Sequence, residues 1–318
     1  MANIDVTVRE VGLRDGLQLV KSFVPTDTKL AWAQAVAAAG VPEIEITNFV
    51  PPKVIAQFAD AGDVAKAALQ IKGPNGPKIA ALAPNRKGAE NMLAAGVRNV
   101  NFVLSVSEGH NQSNVRKTTD QSFAEFENVV SLRNERPEWK NIRIQGCLAT
   151  SFGCTIEGRV DPDRVLRCAD RYLALGADEI LLADTVGYAC PSEVHNLFSH
   201  TVALAAGKPV YAHFHDTRGL GLANVYAALE AGVRGFDAST GGLGGCPFAP
   251  GASGNIVMED LIFLLEKEGL RTGVDLEKYR EARRIAEAAL PDENFYGTIL
   301  RAGLPKGFTP PTKLLAAE

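Results

Sequence analysis

The chain lacks any apolar run long enough to cross a membrane, and its opening MANIDVTVRE is charged where a secretory signal would be apolar. Neither a membrane span nor export is expected, and the cytoplasm is the expected compartment. Cysteine is scarce: five among 318 residues, Cys147, Cys154, Cys168, Cys190 and Cys246, with no CxxC pair. An odd count scattered over a long chain argues against a disulfide framework and fits reduced thiols. Charge of one sign is lacking as well. With 33 Lys and Arg against 37 Asp and Glu, the formal net charge of -4 gives no general attraction to nucleic acid or to an anionic membrane surface. No GxGxxG follows the first strand-like run and no GxxxxGK[ST] occurs, so an open nucleotide-binding sheet lacks its usual phosphate loop.

What is present is a globular composition, 46% hydrophobic and 22% charged, able to bury a substantial core. Short β-branched runs recur at 4–8, 43–47, 78–82, 99–104, 142–148, 179–183, 209–214 and 235–239. Between and after them lie helix-compatible stretches near 27–39, 53–70, 87–95, 121–132, 162–175, 192–206, 219–231 and 256–268. The joints AAGV (38–41), AAGV (94–97), ALGA (174–177) and EAGV (230–233) each place Gly just before a strand, where a left-handed cap turns the helix sharply. Strict alternation favours a parallel sheet, and eight units favour closure into a (β/α)₈ TIM barrel. Residues 274–290 read as an additional helix and FTPPTKLLAAE as a loose tail. No linker divides the chain, so residues 1–318 are expected to be one barrel domain with 270–318 as a C-terminal helical extension.

Candidate chemistry gathers in a few segments. In VYAHFHDTRG, His213 and His215 share one face of a strand while Val210, Ala212 and Phe214 take the other. Two imidazoles at the carboxyl end of a barrel strand enter the mouth, as metal ligands or as hydrogen-bonded structural histidines. In VREVGLRDGLQ, Asp15 offers a hard oxygen and Arg14 a permanent cation, or the two form an ordinary ion pair on a turn. STGGLGGCPFAPGASGN is a glycine-rich loop suited to a lid, with Cys246 in its middle and Asn255 either a ligand or a helix N-cap. Glu45 should face inward because Ile44 and Ile46 have the opposite parity, and Asp184 ends the aliphatic run EILLAD, as an active-site neighbour or a cap. Asp216 is read as structural.

These segments are joined by others, ITNFVPPK, LAPNRKG, LLADTVG and GGLGGCPFAPGASGNIVMEDL, and over about residues 5–275 the chain resembles the hydroxymethylglutaryl-CoA lyase family. The resemblance implies a carbon–carbon lyase that converts a 3-hydroxy-3-methylglutaryl-CoA-like thioester to acetyl-CoA and acetoacetate. It implies Mg²⁺ or Mn²⁺ held by Asp15, His213, His215 and Asn255, an enolate-stabilising Arg14, a proton-transferring Cys246 and active-site carboxylates at Glu45 and Asp184. His213 is also a candidate first base. An acyl-CoA substrate and a homo-oligomer, dimer or tetramer, are the expected partners, without nucleic acid or membrane. The family commonly has tyrosine where Cys147 stands and a Ser-Cys pair at Ala149 and Thr150, so this chain departs from it at the acyl pocket. Rival readings are a lyase for citramalyl-CoA or a longer 3-hydroxy-3-alkylglutaryl-CoA, a condensing synthase of the citramalate or isopropylmalate type, a metal hydrolase, and a barrel that binds without turnover.

Overall fold

In the computed structural model, residues 4–245 and 254–314 are described. Among them eight strands join in chain order: β1 (Thr7–Glu10), β2 (Glu43–Asn48), β3 (Lys78–Leu82), β4 (Asn99–Ser105), β5 (Arg143–Ala149), β6 (Glu179–Asp184), β7 (Val210–Phe214) and β8 (Gly235–Ala238). Every pair is parallel, and β8 returns to β1 with Thr7 opposite Gly235 and Glu10 opposite Ala238, so the sheet closes into the expected barrel. The helices that follow successive strands are α1 (Thr26–Ala38), α2 (Ala61–Ala68), α3 (Arg86–Ala94), α4 (Glu108–Val115), α5 (Thr119–Ser131), α6 (Pro162–Ala174), α7 (Pro191–Ala205), α8 (Gly221–Glu230) and α9 (Met258–Lys267). The extension holds α10 (Leu276–Ala289) and the short turns α11 (Ile299–Ala302) and α12 (Pro311–Leu314).

Local chemistry accounts for these boundaries. Gly40, Gly96, Gly176 and Gly232 all take φ between 94° and 103°, the left-handed turn that the repeated joints require. Thr118 and Gln121 form a reciprocal capping box on α5, and Asp161 caps α6 ahead of Pro162 at its first position. The β-branched strands send one face to the helix layer, where Trp32, Phe102, Phe126, Tyr172, Phe198 and Phe214 are fully buried. Each such side chain contributes about 1.5–3 kcal/mol, so the helix ring is fixed chiefly by apolar burial.

Some expectations shift. The first strand lies at Thr7–Glu10 instead of 4–8, because Arg9 and Glu10 are both inside the protein and break the apolar pattern. The helix expected over 53–70 is confined to Ala61–Ala68, preceded by a 3₁₀ turn at Ala56–Phe58. The tail is docked through Thr312: its hydroxyl donates to Glu266 and accepts from the Gly273 amide, while Phe308 meets Phe263 edge-on at 5.7 Å.

Candidate active site

The strand period brings the two histidines together as expected. Phe214 points outward against Phe198, and the imidazoles of His213 and His215 point inward with their Nε2 atoms 3.1 Å apart. Asp15 arrives from the turn after β1, its Oδ2 lying 3.6 Å from His215 Nε2 and 4.0 Å from His213 Nε2. Asn255 sits in an extended segment bridged to His215 and donates its Nδ2 to Asp15 Oδ2 at 2.8 Å. It is no helix N-cap, since α9 starts at Met258 after Val257.

This group fits a divalent cation. Two imidazole nitrogens and a carboxylate oxygen converge within 4.8 Å of one another, and the buried Asn255 Oδ1 beside them has no hydrogen-bond partner among the described residues. The mixed nitrogen and oxygen donors suit a divalent ion with open positions and not a closed thiolate site. Burial favours a neutral Asp15, but Arg14 and the two histidines outweigh it and hold the carboxyl well below the usual range. It is therefore anionic, as a ligand must be.

A support that parity could have found, and that the motif reading missed, lies directly beneath. Arg9 on β1 grips Asp237 on β8 with two donors, at 2.8 and 2.9 Å, and also donates to Gln145 and Glu43. Asp237 Oδ2 is 3.1 Å from His213 Nδ1. An ionised carboxylate only accepts, so the imidazole carries its proton on Nδ1 and turns the Nε2 lone pair into the cavity. Burial alone would raise the Asp237 carboxyl, yet Arg9 and His213 keep it below its ordinary value. Phe236 and Ala238 flank Asp237 with the opposite parity, which is the sequence signal for an inward acid.

Arg14 lines the same cavity. It donates Nε to Glu45 Oε2 and Nη1 to Asp15 Oδ1, both at 2.5 Å, and Glu45 Oε1 accepts from Asn101 Nδ2 at 2.7 Å. Desolvation works against its charge, but Glu45 and Asp15 keep the guanidinium above its ordinary pKa. Glu45 thus orients Arg14.

One expected site residue falls elsewhere. Asp184 does not line the cavity: its carboxyl accepts the backbone amides of Tyr188 at 2.8 Å and Ala189 at 3.0 Å, tying down the loop before α7. It does not cap α7, whose N-cap is Cys190. Cys246 lies outside the described residues. Asp216 is structural, accepting the Gly221 amide at 2.7 Å.

The root of the glycine-rich loop is clamped by five partners. Thr240 gives its amide to Glu10 Oε1 at 3.0 Å, and its hydroxyl meets Tyr279 Oη at 2.7 Å and accepts from Trp32 Nε1 at 3.2 Å. The Gly241 amide donates to Glu259, which also accepts from Arg283, while the Gly241 carbonyl accepts from the Tyr296 amide. Only glycine fits here: φ is 61°, and a Cβ would sit 2.5 Å from Arg283 and 2.6 Å from the Phe295 ring.

Residues 5–286 match the HMGL-like family. The chain belongs to that family. This HMGL-like protein is 40% identical over 282 residues to hydroxymethylglutaryl-CoA lyase YngG of Bacillus subtilis, covering 89% of this chain and 92% of the relative. It is 39% identical to the (R)-citramalyl-CoA lyase of Chloroflexus aurantiacus, covering 85% and 86%. An HMG-CoA lyase structure from Acenitobacter baumannii, in complex with coenzyme A and 3-methylmalate, superposes with a TM-score of 0.87 at 40% identity, covering 96% of this chain and 97% of that one. The expectation of a lyase in a closed barrel is thereby met.

Proposed function

We propose that this HMGL-like protein cleaves 3-hydroxy-3-methylglutaryl-CoA to acetyl-CoA and acetoacetate by retro-Claisen chemistry. The observation that carries the reading is the convergence of Asp15, His213, His215 and Asn255 beside Arg14 at the open end of the barrel. These four side chains would hold Mg²⁺ or Mn²⁺, which when bound supplies Lewis acidity to the tertiary hydroxyl and carboxylate of the substrate. Of the two duties expected of His213 we assign that of ligand, because the Nδ1 proton is committed to Asp237 and only one lone pair remains.

The residues then divide the work. As the hydroxyl passes its proton to water, its oxygen becomes a carbonyl and the carbon–carbon electrons move into the thioester as an enolate. Arg14, held flat by Glu45 and Asp15, places fixed positive charge at the thioester oxygen of that enolate and needs no reorganisation when the charge develops. Protonation of the enolate carbon by Cys246 completes acetyl-CoA. The cavity, about 220 Å³, shares Gln18, Val54, Ile55 and Asn114 with a groove bordered by Lys21 and Phe23, a path out of the barrel for the long thioester arm. One barrel domain with 270–318 as its extension carries the whole site in this reading. The described cysteines are all free thiols, which supports a reducing cytoplasm, and no helix among the described residues is long and apolar enough to cross a membrane. A homo-oligomer is retained as part of the proposal.

Purified protein loaded with Mn²⁺ or Mg²⁺ should release acetyl-CoA from hydroxymethylglutaryl-CoA, followed by thiol-independent chromatography. No acetyl-CoA from this thioester, from citramalyl-CoA or from longer 3-hydroxy-3-alkylglutaryl-CoA analogues would reject lyase activity.

A further inference from the structure

The cavity is divided into two chemically different halves. Its acidic and basic side chains, Arg9, Arg14, Asp15, Glu45 and Asp237, and the two inward histidines all belong to β1, β2, β7, β8, the turn after β1 or the residue just after β7. The opposite wall is built from Leu82, Val103, Cys147, Ala149, Leu181 and Ala183 on β3 to β6. Strand register places Val103, Cys147 and Leu181 side by side, and Ala183 beside His213. Cys147, Leu181 and Ala183, with Tyr211 and Val103, form an apolar cluster separate from the main core, which is why they face the cavity instead of the helices. On this side Asn101 donates to Glu45, His110 Nδ1 meets Ser105 Oγ at 2.7 Å and Thr185 Oγ1 accepts from the Thr150 amide, while Asn114 lies where the cavity joins the outer groove. Among the described residues, Arg9 and Arg14 are the cavity's only Lys or Arg lining, and both stand on the polar half.

A tertiary carbon bearing a hydroxyl, a carboxylate arm and a thioester arm has three polar directions, which match the polar half, and one substituent left for the apolar wall. Adjacent strands are about 4.8 Å apart, so β4 to β6 present roughly 10 Å of apolar surface, whereas a methyl is only about 4 Å across. We propose that the preferred substrates are 3-hydroxy-3-alkylglutaryl-CoA thioesters whose branch is an uncharged chain of roughly four to six carbons lying along this wall, with Cys147 as a specificity-determining residue. This rests on the lyase reading above and names its substrate class.

The test compares kcat/KM for thioesters that differ only in the 3-substituent, methyl, butyl and 4-methylpentyl, with metal-loaded enzyme. Each methylene that enters the wall should raise kcat/KM about fourfold, giving the longer branches an advantage of at least about tenfold. Cys147→Phe, which fills the wall without adding a polar group, should reverse the ratio between the longer branches and methyl. Should that variant misfold by circular dichroism, Ala183→Val narrows the same wall and should lower the same ratio. Preference for methyl, or a ratio that a folded variant leaves unchanged, overturns the inference and leaves lyase activity standing. No cleavage of any of the three thioesters, methyl included, overturns both.

Discussion

Replacing Asp237 with Asn is the sharpest probe of how the barrel prepares His213. The carboxylate accepts two bonds from Arg9 and one from His213 Nδ1, three donors on two oxygens. An amide has one oxygen and one NH₂, and whichever way it is turned, the NH₂ faces an Arg9 donor. Turned toward His213, it donates to Nδ1 and drives the ring proton to Nε2, into the cavity where a lone pair is needed. Loss of such an outer partner weakens metal binding by about 10–100-fold, and removing one member of a buried ion pair costs about 3–5 kcal/mol. With an unfolding entropy of about 2.1 cal/mol/K per residue over 318 residues, that cost lowers Tm by roughly 5–8 °C. Mn²⁺ titration followed by electron paramagnetic resonance, with calorimetric melting of the metal-free protein, measures the two effects separately. An Asp237→Asn protein that binds Mn²⁺ within about twofold of the parent would refute the assigned role of Asp237.

Arg14→Gln should lower kcat by about 10²–10³-fold while Mn²⁺ stoichiometry stays at one per chain, because the guanidinium acts on charge that develops only during the reaction. His215→Ala removes a donor atom itself and should weaken Mn²⁺ binding beyond the roughly 100-fold limit for an outer partner; retained full occupancy would show that His215 is not a ligand. Burial pushes the Glu10 carboxyl up to about 7 from an ordinary 4.5, against hydrogen bonds from Tyr279, Thr240 and Gly12. The folded chain keeps a proton that the unfolded chain releases, so stability is full below pH 4.5 and falls by up to about 3 kcal/mol as pH rises to 7. Glu10→Gln stays neutral, and its Tm relative to the parent should rise between pH 5 and pH 8; a constant difference would contradict this. Burial likewise pushes the Cys147 thiol up to about 12, so iodoacetamide at pH 8 should leave Cys147 unlabelled by peptide mass spectrometry in the folded protein.

The barrel was legible because its signals are local and repeated: period-two apolar runs, and a glycine at four helix-to-strand joints whose φ angles all proved left-handed. The His213–His215 pair and inward Glu45 were legible for the same reason, since parity alone fixes the face of a strand residue. Helix α4 was not expected because EGHNQSNV has no apolar stripe; it is held by the Ser107 cap and by Asn111, whose side chain bridges Ser105, Lys117 and Ser122. The Arg9–Asp237 pair joins residues 228 positions apart and no short pattern connects them, although alternation with Val8 and with Phe236 and Ala238 could have marked each as inward. Asp184 illustrates the reverse failure. An acid at the mouth end of a strand has the same sequence signature whether it faces a substrate or two backbone amides.

The clamp on Thr240 and Gly241 has a consequence for biosynthesis. Its outer jaws, Tyr279, Arg283 and Tyr296, all follow β8 in the chain, so they leave the ribosome after that strand does. A chain released before α10 would carry all eight strands and every candidate ligand yet lack these jaws, so competence to turn over substrate waits on synthesis of the segment through Tyr296.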